Sequence, residues 1–394
     1  MKRFVVFVLA LCAFGAVAMA QKSIPHAVRT INEATVRRTE IVLPKVKGFN
    51  CYKGDFHIHT SYSDGRVNPA GRVVEAWVDG LDVIAITDHY EGRRGEQNFF
   101  KVIAPYNPDV QYQSAKKANG VKADFNAIHQ ETVNQLEKSG YPMLLIKGCE
   151  MARNPETHGH FNALFLEDIN GLYDEDLAEA FRKVKAQGGI IIHNHPAWRR
   201  KTSDKTEFHE KVYGEGLIDG VEVVNGQTFY PHIVRRCIDE KLTMFANTDE
   251  HSLISHRYGQ VGCFRTMTII LAKELTENAI KDAILKHRTI AYSGGNLIGE
   301  KSWLVEYLNA AVDCRVAKVN EKNNEHIYML TNQTSIPLRL RRGKTIYVLE
   351  PFKPIMVSIG KDKADVEAAK PLFAVENMWV EDYEHPKVVL EIDK

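Results

Sequence analysis

Short apolar segments alternate with amphipathic segments over the first three quarters of the chain. The apolar segments have the length of strands and are hydrophobic at nearly every position, which is typical of strands buried on both faces. They lie at residues 56–58, 83–87, 143–148, 161–166, 189–192, 221–224, 244–247 and 267–271. Helical patterns lie between several of them and begin at Asn68-Pro69, at Asp174 and at Thr276. Strands that alternate with helices predict a parallel α/β fold over residues 53–300.

The pattern changes after about residue 301. Helical patterns vanish, and short alternating runs occur at residues 327–331, 338–341, 346–349, 355–359, 373–375 and 388–392. We therefore expect a small all-β, sandwich-like domain over residues 301–394. Residues 93–141 interrupt the rhythm of the first region, and we expect an insertion near the strand ends there.

The first twenty residues have the composition of a secretory signal peptide. Lys2 and Arg3 precede an apolar run at residues 4–17, and Ala18-Met19-Ala20 is a small-residue cleavage site. The run is short for a membrane span. We expect residues 1–20 to be removed, residues 21–52 to lead into the first domain, and the mature protein to be periplasmic or extracellular, without a membrane span.

Charge and cysteine content narrow the class of partner and cofactor. The chain has 51 Lys and Arg residues against 50 Asp and Glu residues, so it has no global basic field and no nucleic-acid partner is expected. Removing Cys12 with the signal leaves an odd number of scattered cysteines, which is not a disulfide framework. None has CxxC spacing, so thiolate metal binding is not expected.

Histidine and carboxylate residues stand at most strand ends of the first region. They are His57 and His59, then Asp64, Asp88 and His89, Glu150, His193 and His195, and Asp249 and His251. Residues i and i+2 of a strand point the same way, and the carboxyl ends of barrel strands build the active site. Burying so many ionisable groups together is costly without counter-charge. Mixed imidazole and carboxylate donors therefore predict two or three divalent ions, for which manganese, zinc or iron is suited.

These motifs resemble those of the polymerase and histidinol phosphatase (PHP) superfamily. His57-Ile58-His59 with Ser63-Asp64-Gly65, Thr87-Asp88-His89, a strand-end Glu150, His195-Pro196 and Asp249-Glu250-His251 follow the family's order over residues 53–294. The resemblance implies a distorted seven-stranded (β/α) barrel with a two- or three-metal phosphoesterase site. With the export signal and the trailing β domain, the chain also resembles secreted bacterial phosphodiesterases of that superfamily.

The resemblance also implies a ligand set, which we carry over residue by residue. His57 and His59 would hold one ion with Glu150 and Asp249; Glu150 would bridge to a second ion at His160 and His195; Asp64, His89 and His251 would hold a third. Two choices stay open: His193 competes with His195, and His158 competes with His160, which begins its strand.

Three residues are candidates for roles beyond metal ligation. Asp88 resembles the family's carboxylate that orients a ligand histidine. Arg66 is a candidate phosphate clamp, because a guanidinium fork matches phosphate geometry. His251 lies where it could also protonate a leaving group. Other candidate clamps are Arg93, Arg94, Arg199, Arg200 and Arg257, and Glu222 and Asn225 mark a strand end without a ligand motif.

We therefore expect a metal-dependent phosphoesterase that acts on a small-molecule phosphate ester, with diesters favoured on the resemblance. A hydroxide bridging two ions would attack phosphorus in line. The alternatives are a phosphomonoesterase of the same fold, a non-catalytic metal- or carbohydrate-binding protein of the cell surface, and a metal-dependent hydrolase of another bond, such as an amide.

Overall fold

The computed structural model describes residues 37–90, 124–259, 262–322, 325–360, 370–381 and 383–392. Arg38–Lys394 forms one compact unit. The predicted signal peptide, Arg93 and Arg94 lie outside the described residues, as does the expected insertion up to residue 123. No helix within the described part of the chain has the length and apolarity to cross a membrane.

The first region carries eleven strands and seven helices among the described residues. The strands are β1 (Asn50–Asp55), β2 (Val83–Ile86), β3 (Leu144–Ala152), β4 (His160–Leu164), β5 (Ile190–His193), β6 (Gly220–Asn225), β7 (Thr228–Phe229), β8 (Thr243–Asn247), β9 (Met267–Ala272), β10 (Thr289–Ser293) and β11 (Asn296–Ile298). The helices are α1 (Pro69–Val78), α2 (Phe125–Ser139), α3 (Leu177–Ala186), α4 (Glu207–Gly214), α5 (Pro231–Glu240), α6 (Ile254–Tyr258) and α7 (Glu277–Leu285).

The following region begins with one more helix and continues as strands. The helix is α8 (Lys301–Ala311). The strands are β12 (Val312–Asn320), β13 (Glu325–Asn332), β14 (Leu338–Arg342), β15 (Thr345–Leu349), β16 (Pro354–Gly360), β17 (Leu372–Val375), β18 (Met378–Trp379) and β19 (Lys387–Val389).

The strands of the first region form a mixed sheet rather than a parallel one. Its order is β18-β11-β10-β9-β1-β2-β3-β4-β5-β6-β7, and β8 pairs with β6 as the twelfth strand. The parallel pairs include β1 with β2, β2 with β3, β5 with β6 and β6 with β8, whereas β4 runs antiparallel to both its neighbours. The sheet curls into a half-barrel, so the expected α/β architecture is confirmed while the strand count of seven is not.

Local capping explains where the helices begin. Asn68 accepts a hydrogen bond from the Gly71 N–H at 2.7 Å, and Thr276 caps α7 in the same way. Helix α3 is capped by Asp176, two residues after the predicted Asp174, because the Asp176 side chain accepts from the Ala178 N–H at 2.8 Å. The side-chain cap thus decides the first residue of each of these helices.

Two separate all-β sheets follow the half-barrel, in the orders β12-β13-β16 and β15-β14-β17-β19. Residues alternate between buried and exposed along β14 and β16, and the buried ones from both sheets share one hydrophobic core with β9, β10 and α8. This confirms the expected β region. The bounds 53–300 and 301–394 stay a prediction.

The expectation that helices end at about residue 301 is wrong. Helix α8 buries Leu304, Tyr307, Leu308 and Ala311, which recur at helical spacing and face the shared core. The helix begins at the residue where the pattern changes, so its apolar positions merge with the alternating runs that follow. Among the described residues, Cys51, Cys237 and Cys263 are free thiols.

Candidate metal centre

The strand-end residues of the half-barrel converge at one edge of the sheet. Strands β1, β2, β3, β5 and β8 present their carboxyl ends there. Glu150 lies among the last residues of β3, and the candidate ligands that follow the other four strands are His57, His59, His89, His195, Asp249 and His251. His160 joins them although it begins β4. Because β4 runs antiparallel to β3 and β5, its first residue lies at the edge where theirs are last.

The Glu150 carboxylate is the centre of this cluster. It is 1% exposed, and five imidazole nitrogens lie within 3.6 Å of its oxygens. Oε1 faces Nε2 of His57 at 3.3 Å, Nδ1 of His160 at 3.2 Å and Nε2 of His195 at 3.5 Å. Oε2 faces Nδ1 of His89 at 2.7 Å and Nε2 of His59 at 3.6 Å.

Two aspartates complete the cluster towards solvent. Asp249 Oδ1 lies 3.2 Å from Nε2 of both His57 and His59. Asp64 Oδ1 lies 3.0 Å from Nε2 of His251, and its Oδ2 lies 3.4 Å from Nε2 of His89. The structure thus brings all nine predicted ligands together.

The donor atoms fall into four overlapping groups, each with its atoms within 4.8 Å of one another. The groups are His59, Asp64, His89 and His251; His57, His59 and Glu150; His57, His195 and Asp249; and His89, Glu150 and His160. They correspond to the expected three sets, except that His59 and His89 also join a neighbouring set and His195 groups with Asp249. Shared ligands of this kind suit ions that lie close together.

Hydrogen bonding among the described residues supports the fit to metal ions. His89 Nδ1 lies 2.7 Å from Glu150 Oε2, yet neither ring nitrogen of His89 nor this oxygen makes a hydrogen bond of normal geometry. These atoms are buried, and leaving such atoms without partners is costly. A metal ion that binds the lone pairs of these atoms would remove that cost.

The electrostatics of the cluster are those of an ion site. Burial raises the pKa of Glu150, but His89, His160 and His57 outweigh burial and hold that pKa well below its usual value. Burial, together with the neighbouring His251, lowers the pKa of His59 to about 3. Burial also lowers the pKa of His89, but the Glu150 and Asp64 carboxylates raise it to about 10. The cluster therefore attracts positive charge while keeping a neutral imidazole at His59.

Glu222, which the sequence marked only as a strand-end residue without a ligand motif, contacts a predicted ligand directly. Its side chain is fully buried, and Oε1 lies 2.8 Å from His57 Nδ1. Oε2 accepts hydrogen bonds from the His195 N–H at 2.8 Å and from the Asn225 side chain at 2.9 Å. Because Glu222 occupies Nδ1, the Nε2 atom of His57 faces Glu150 and Asp249. The signal in the sequence was a carboxylate within strand β6 that lacked a neighbouring histidine.

Asp88 acts on a loop rather than on a ligand histidine. Its carboxylate accepts hydrogen bonds from the Thr60 N–H at 2.7 Å, the Thr60 hydroxyl at 2.6 Å and the Ser63 hydroxyl at 2.6 Å. The Ser63 oxygen in turn lies 3.3 Å from His59 Nδ1. Asp88 thus reaches His59 only through Ser63, whereas Glu222 contacts the ring of His57 directly.

Of each of the two competing histidine pairs, the structure places one member in the cluster and the other outside the four donor groups. His195 lies in the cluster, whereas the His193 ring stacks on Phe161 and its Nδ1 lies 2.8 Å from the Tyr213 hydroxyl. His158 lies outside the four donor groups, with Nδ1 2.8 Å from the Thr157 hydroxyl.

A cavity of about 440 Å³ opens onto the cluster. Its lining includes His89, Glu150, His160, His195, Trp198, Asn225, Gln227, Thr228, Asp249, His251 and Arg257. Arg257 is the candidate clamp that reaches it, with Nε 3.4 Å from Glu250 Oε2. Arg66 does not line this cavity: its side chain is exposed, and only its backbone N–H contacts the site, donating to the His251 carbonyl at 2.6 Å.

Arg199 and Arg200 are held elsewhere. The Arg199 guanidinium lies 4.6 Å from the centre of the Trp198 ring, and Arg200 Nη1 donates to the Pro196 carbonyl at 3.2 Å. Neither lines the cavity of the metal centre. Among the described arginines that we considered, Arg257 is therefore the one placed to meet a ligand.

This geometry has a close counterpart among solved structures. A two-domain protein of Bacteroides vulgatus, which contains a predicted PHP-like metal-dependent phosphoesterase, is 33% identical to this chain and has a TM-score of 0.77. The match covers 90% of this chain and 98% of that protein, so it includes both the half-barrel and the β region. The chain belongs to the PHP-like metal-dependent phosphoesterases. It is thus a hydrolase of phosphoric ester bonds.

Two solved structures resemble this PHP-like phosphoesterase more distantly. A metal-dependent phosphoesterase of Bifidobacterium adolescentis is 14% identical, with a TM-score of 0.38 over 59% of this chain and 96% of that one. A lesion-specific endonuclease of Pyrococcus furiosus is 15% identical, with a TM-score of 0.38 over 64% of this chain and 59% of that one. No family model and no curated protein matches the chain.

A buried ion pair fixes the backbone beneath the metal centre. Asp55 accepts hydrogen bonds from the Thr248 N–H at 3.1 Å and from Arg265 Nη2 at 2.6 Å. Arg265 is 4% exposed and also lies 3.2 Å from Asp79 Oδ2. The pair therefore joins the end of β1, which precedes His57, to the turn that carries Asp249.

We predict that Glu222→Gln weakens metal binding by about 10–100-fold, because the amide no longer orients His57 as the carboxylate does. The measurement is competition of the purified protein against a chelator of known affinity. Glu137→Gln, an exposed change of the same chemistry on α2, serves as the matched control and should leave affinity unchanged. Equal affinities for the two variants would contradict the assigned role of Glu222.

We also predict that Arg265→Met lowers the free energy of unfolding by about 3–5 kcal/mol, because it leaves the buried Asp55 carboxylate without its counter-charge. Urea denaturation of the metal-free protein measures this. Arg315→Met removes an exposed ion pair with Asp313 and should leave the denaturation midpoint unchanged. The same midpoint for Arg265→Met would show that the pair does not support the site.

Proposed function

We propose that the protein hydrolyses small phosphodiesters at two or three divalent ions held by the nine clustered ligands. The observation that carries the proposal is the Glu150 carboxylate, whose two oxygens face imidazoles of different donor groups. A carboxylate in this position is suited to bridging adjacent ions. The bound ions would supply a water of lowered pKa and positive charge opposite the phosphoryl oxygens.

The protein's own groups prepare the site for a phosphate ester. Arg257 borders the cavity on the solvent side and provides a guanidinium for the non-bridging oxygens. Asn225 and Thr228 add polar contacts at the same wall. Trp198 covers the rings of His160 and His195, with centroid distances of 5.0 Å and 5.3 Å, and so limits access of water from that side.

His251 serves as a ligand in this proposal rather than as a proton donor. Its Nδ1–H donates to the Asp249 carbonyl at 2.9 Å, and its Nε2 faces Asp64 at 3.0 Å. Both ring nitrogens are thus engaged when an ion is held beside Asp64. The proton for the leaving oxygen then comes from water.

Diester preference is supported by the room around the cluster. The cavity of about 440 Å³ is larger than a phosphate group requires and leaves space for an ester group beside it. The proposal also includes the seven-stranded barrel, formed by β1, β2, β3, β4, β5, β6 and β8 as a ring. In support, an isolated parallel bridge joins Ile58, after β1, to Glu250, after β8.

The proposed place of action is the periplasm or the exterior of the cell, because residues 1–20 have the composition of a signal peptide.

We expect the metal-loaded mature protein to cleave bis(p-nitrophenyl) phosphate faster than p-nitrophenyl phosphate. The assay is run after chelation and after manganese, zinc or iron is restored, with His57→Ala, Asp249→Ala and the control His326→Ala, a histidine on β13 outside the cluster. Activity should require metal, vanish in the first two variants and persist in the third.

Each other outcome of this assay has a definite meaning. Faster cleavage of the monoester would replace the diesterase proposal with a phosphatase. Preferential cleavage of a DNA duplex in the same panel would replace the small substrate with nucleic acid. Failure to cleave any ester, by protein shown to hold its metals, would contradict the proposed function.

We further predict that Arg257→Ala lowers kcat/KM for the diester by about tenfold or more, because a charge-assisted hydrogen bond to the phosphate is lost. Arg66→Ala is the matched comparison, since its side chain is exposed and outside the cavity. A larger loss in Arg66→Ala than in Arg257→Ala would restore Arg66 as the clamp.

A further inference from the structure

The hairpin of β6 and β7 separates the metal-centre cavity from a second cavity. Asn225 pairs with Thr228, and both line the metal-centre cavity. The adjacent pair, Val224 and Phe229, lines the second cavity. Because successive strand residues point to opposite faces, this two-stranded hairpin presents a polar face to the metals and an apolar face to the other side.

The second cavity, of about 370 Å³, has aromatic walls. Phe229, Tyr258, Phe264 and Trp379 contribute rings to it, and Ile298 adds an aliphatic surface. The ring centroids of Phe229 and Trp379 are 5.8 Å apart. Trp379 belongs to β18, which lies in sequence between β17 and β19 of the second all-β sheet and pairs in parallel with β11. The C-terminal region thus supplies one wall of a cavity beside the metal centre.

The polar atoms at this cavity already have protein partners. The Tyr258 hydroxyl donates to the Gly226 carbonyl at 3.1 Å, and Trp379 Nε1 donates to Asn296 Oδ1 at 3.2 Å. The Ser293 hydroxyl lies 2.7 Å from the Thr266 hydroxyl. A ligand group with hydrogen-bonding edges would therefore lose its bonds to water without full replacement, whereas an apolar ring loses none.

The two cavities are adjacent at the tip of the hairpin. Gln227 lines both of them, and its side chain is exposed there. On the opposite side, Arg257 lines the metal-centre cavity and the next residue, Tyr258, lines the apolar one. A ligand whose phosphate lies at Arg257 can therefore extend past Gln227 into the aromatic cavity.

We propose that the aromatic cavity binds an apolar aryl group of the phosphate ester whose phosphate lies at the metal centre. This inference rests on the proposed function and narrows its substrate class to aryl esters. Aromatic rings pack on aromatic walls with offset or edge-to-face geometry, and ring burial adds apolar contact. Phe229 and Trp379 are then specificity-determining residues.

The test compares phenylphosphonate with methylphosphonate, which carry the same anionic group and are not hydrolysed. Calorimetric titration of the metal-loaded mature protein gives the dissociation constant of each without any need for turnover. We expect phenylphosphonate to bind about tenfold tighter. The preference should fall below about threefold in Trp379→Ala and in Phe229→Ala, because each removes one wall, and should persist in Trp379→Phe.

Phe352→Ala is the matched control, because this exposed aromatic residue of the C-terminal region lies outside the cavity. It should keep the full preference. A reduced preference in this control, equal to that of Trp379→Ala, would overturn the assignment of the cavity.

The remaining outcomes separate this inference from the proposed function. If methylphosphonate binds and phenylphosphonate binds no tighter, the aryl site is overturned while the metal centre stands. Tighter binding of octylphosphonate or of thymidine 5′-phosphate than of phenylphosphonate would replace the aryl group with a lipid chain or a nucleotide. If neither phosphonate binds protein that holds its metals, both proposals fail.

Discussion

The compensation of charge around Glu150 is the constraint on which the rest of the structure depends. Five imidazole nitrogens lie within 3.6 Å of a carboxylate that is 1% exposed. Such a cluster is stable only if its members have fixed partners, because unpaired ionisable groups are costly in a low dielectric. Glu222 is the fixed partner of His57, and Asp88 is the fixed partner of the loop beside His59. The half-barrel brings these groups together because its strands share one polar edge.

The sequence predicted which residues cluster at the sheet edge better than it predicted the residues that support them. Ligands such as His57 and Asp249 stand at strand ends, where alternation and parallel pairing fix their direction. His160 did not fit, because a single sequence does not reveal that β4 is antiparallel. Glu222 was left without a role because its partner His57 lies 165 residues earlier, and such pairing depends on the tertiary fold. Trp379 was missed for the same reason, since β18 pairs with β11 of the half-barrel although its neighbours in sequence, β17 and β19, belong to the second all-β sheet.

Strand β18 connects the β region to the half-barrel. Its pairing with β11, together with the core shared by α8, β9, β10 and both sheets, makes the C-terminal region part of the support of the half-barrel. Asn377 reinforces the junction by donating to the carbonyls of Gly295 and Pro337, both at 2.8 Å. Under the proposed binding of the ester group, substitutions confined to the C-terminal region can therefore change which ester group is accepted without altering a predicted metal ligand.

Backbone strain at the metal centre shows where this support is needed. Asp249 has a φ of 50° and His195 a φ of 26°, both in the left-handed region that non-glycine residues rarely adopt. The Asp249 N–H donates to the His57 carbonyl at 2.8 Å, and the His195 N–H donates to Glu222 at 2.8 Å. The strained conformations are thus held by the residues that hold His57. A change at Asp55 or Arg265 reaches the predicted ligands through the backbone, whereas a change at Glu222 also removes a direct contact with the His57 ring.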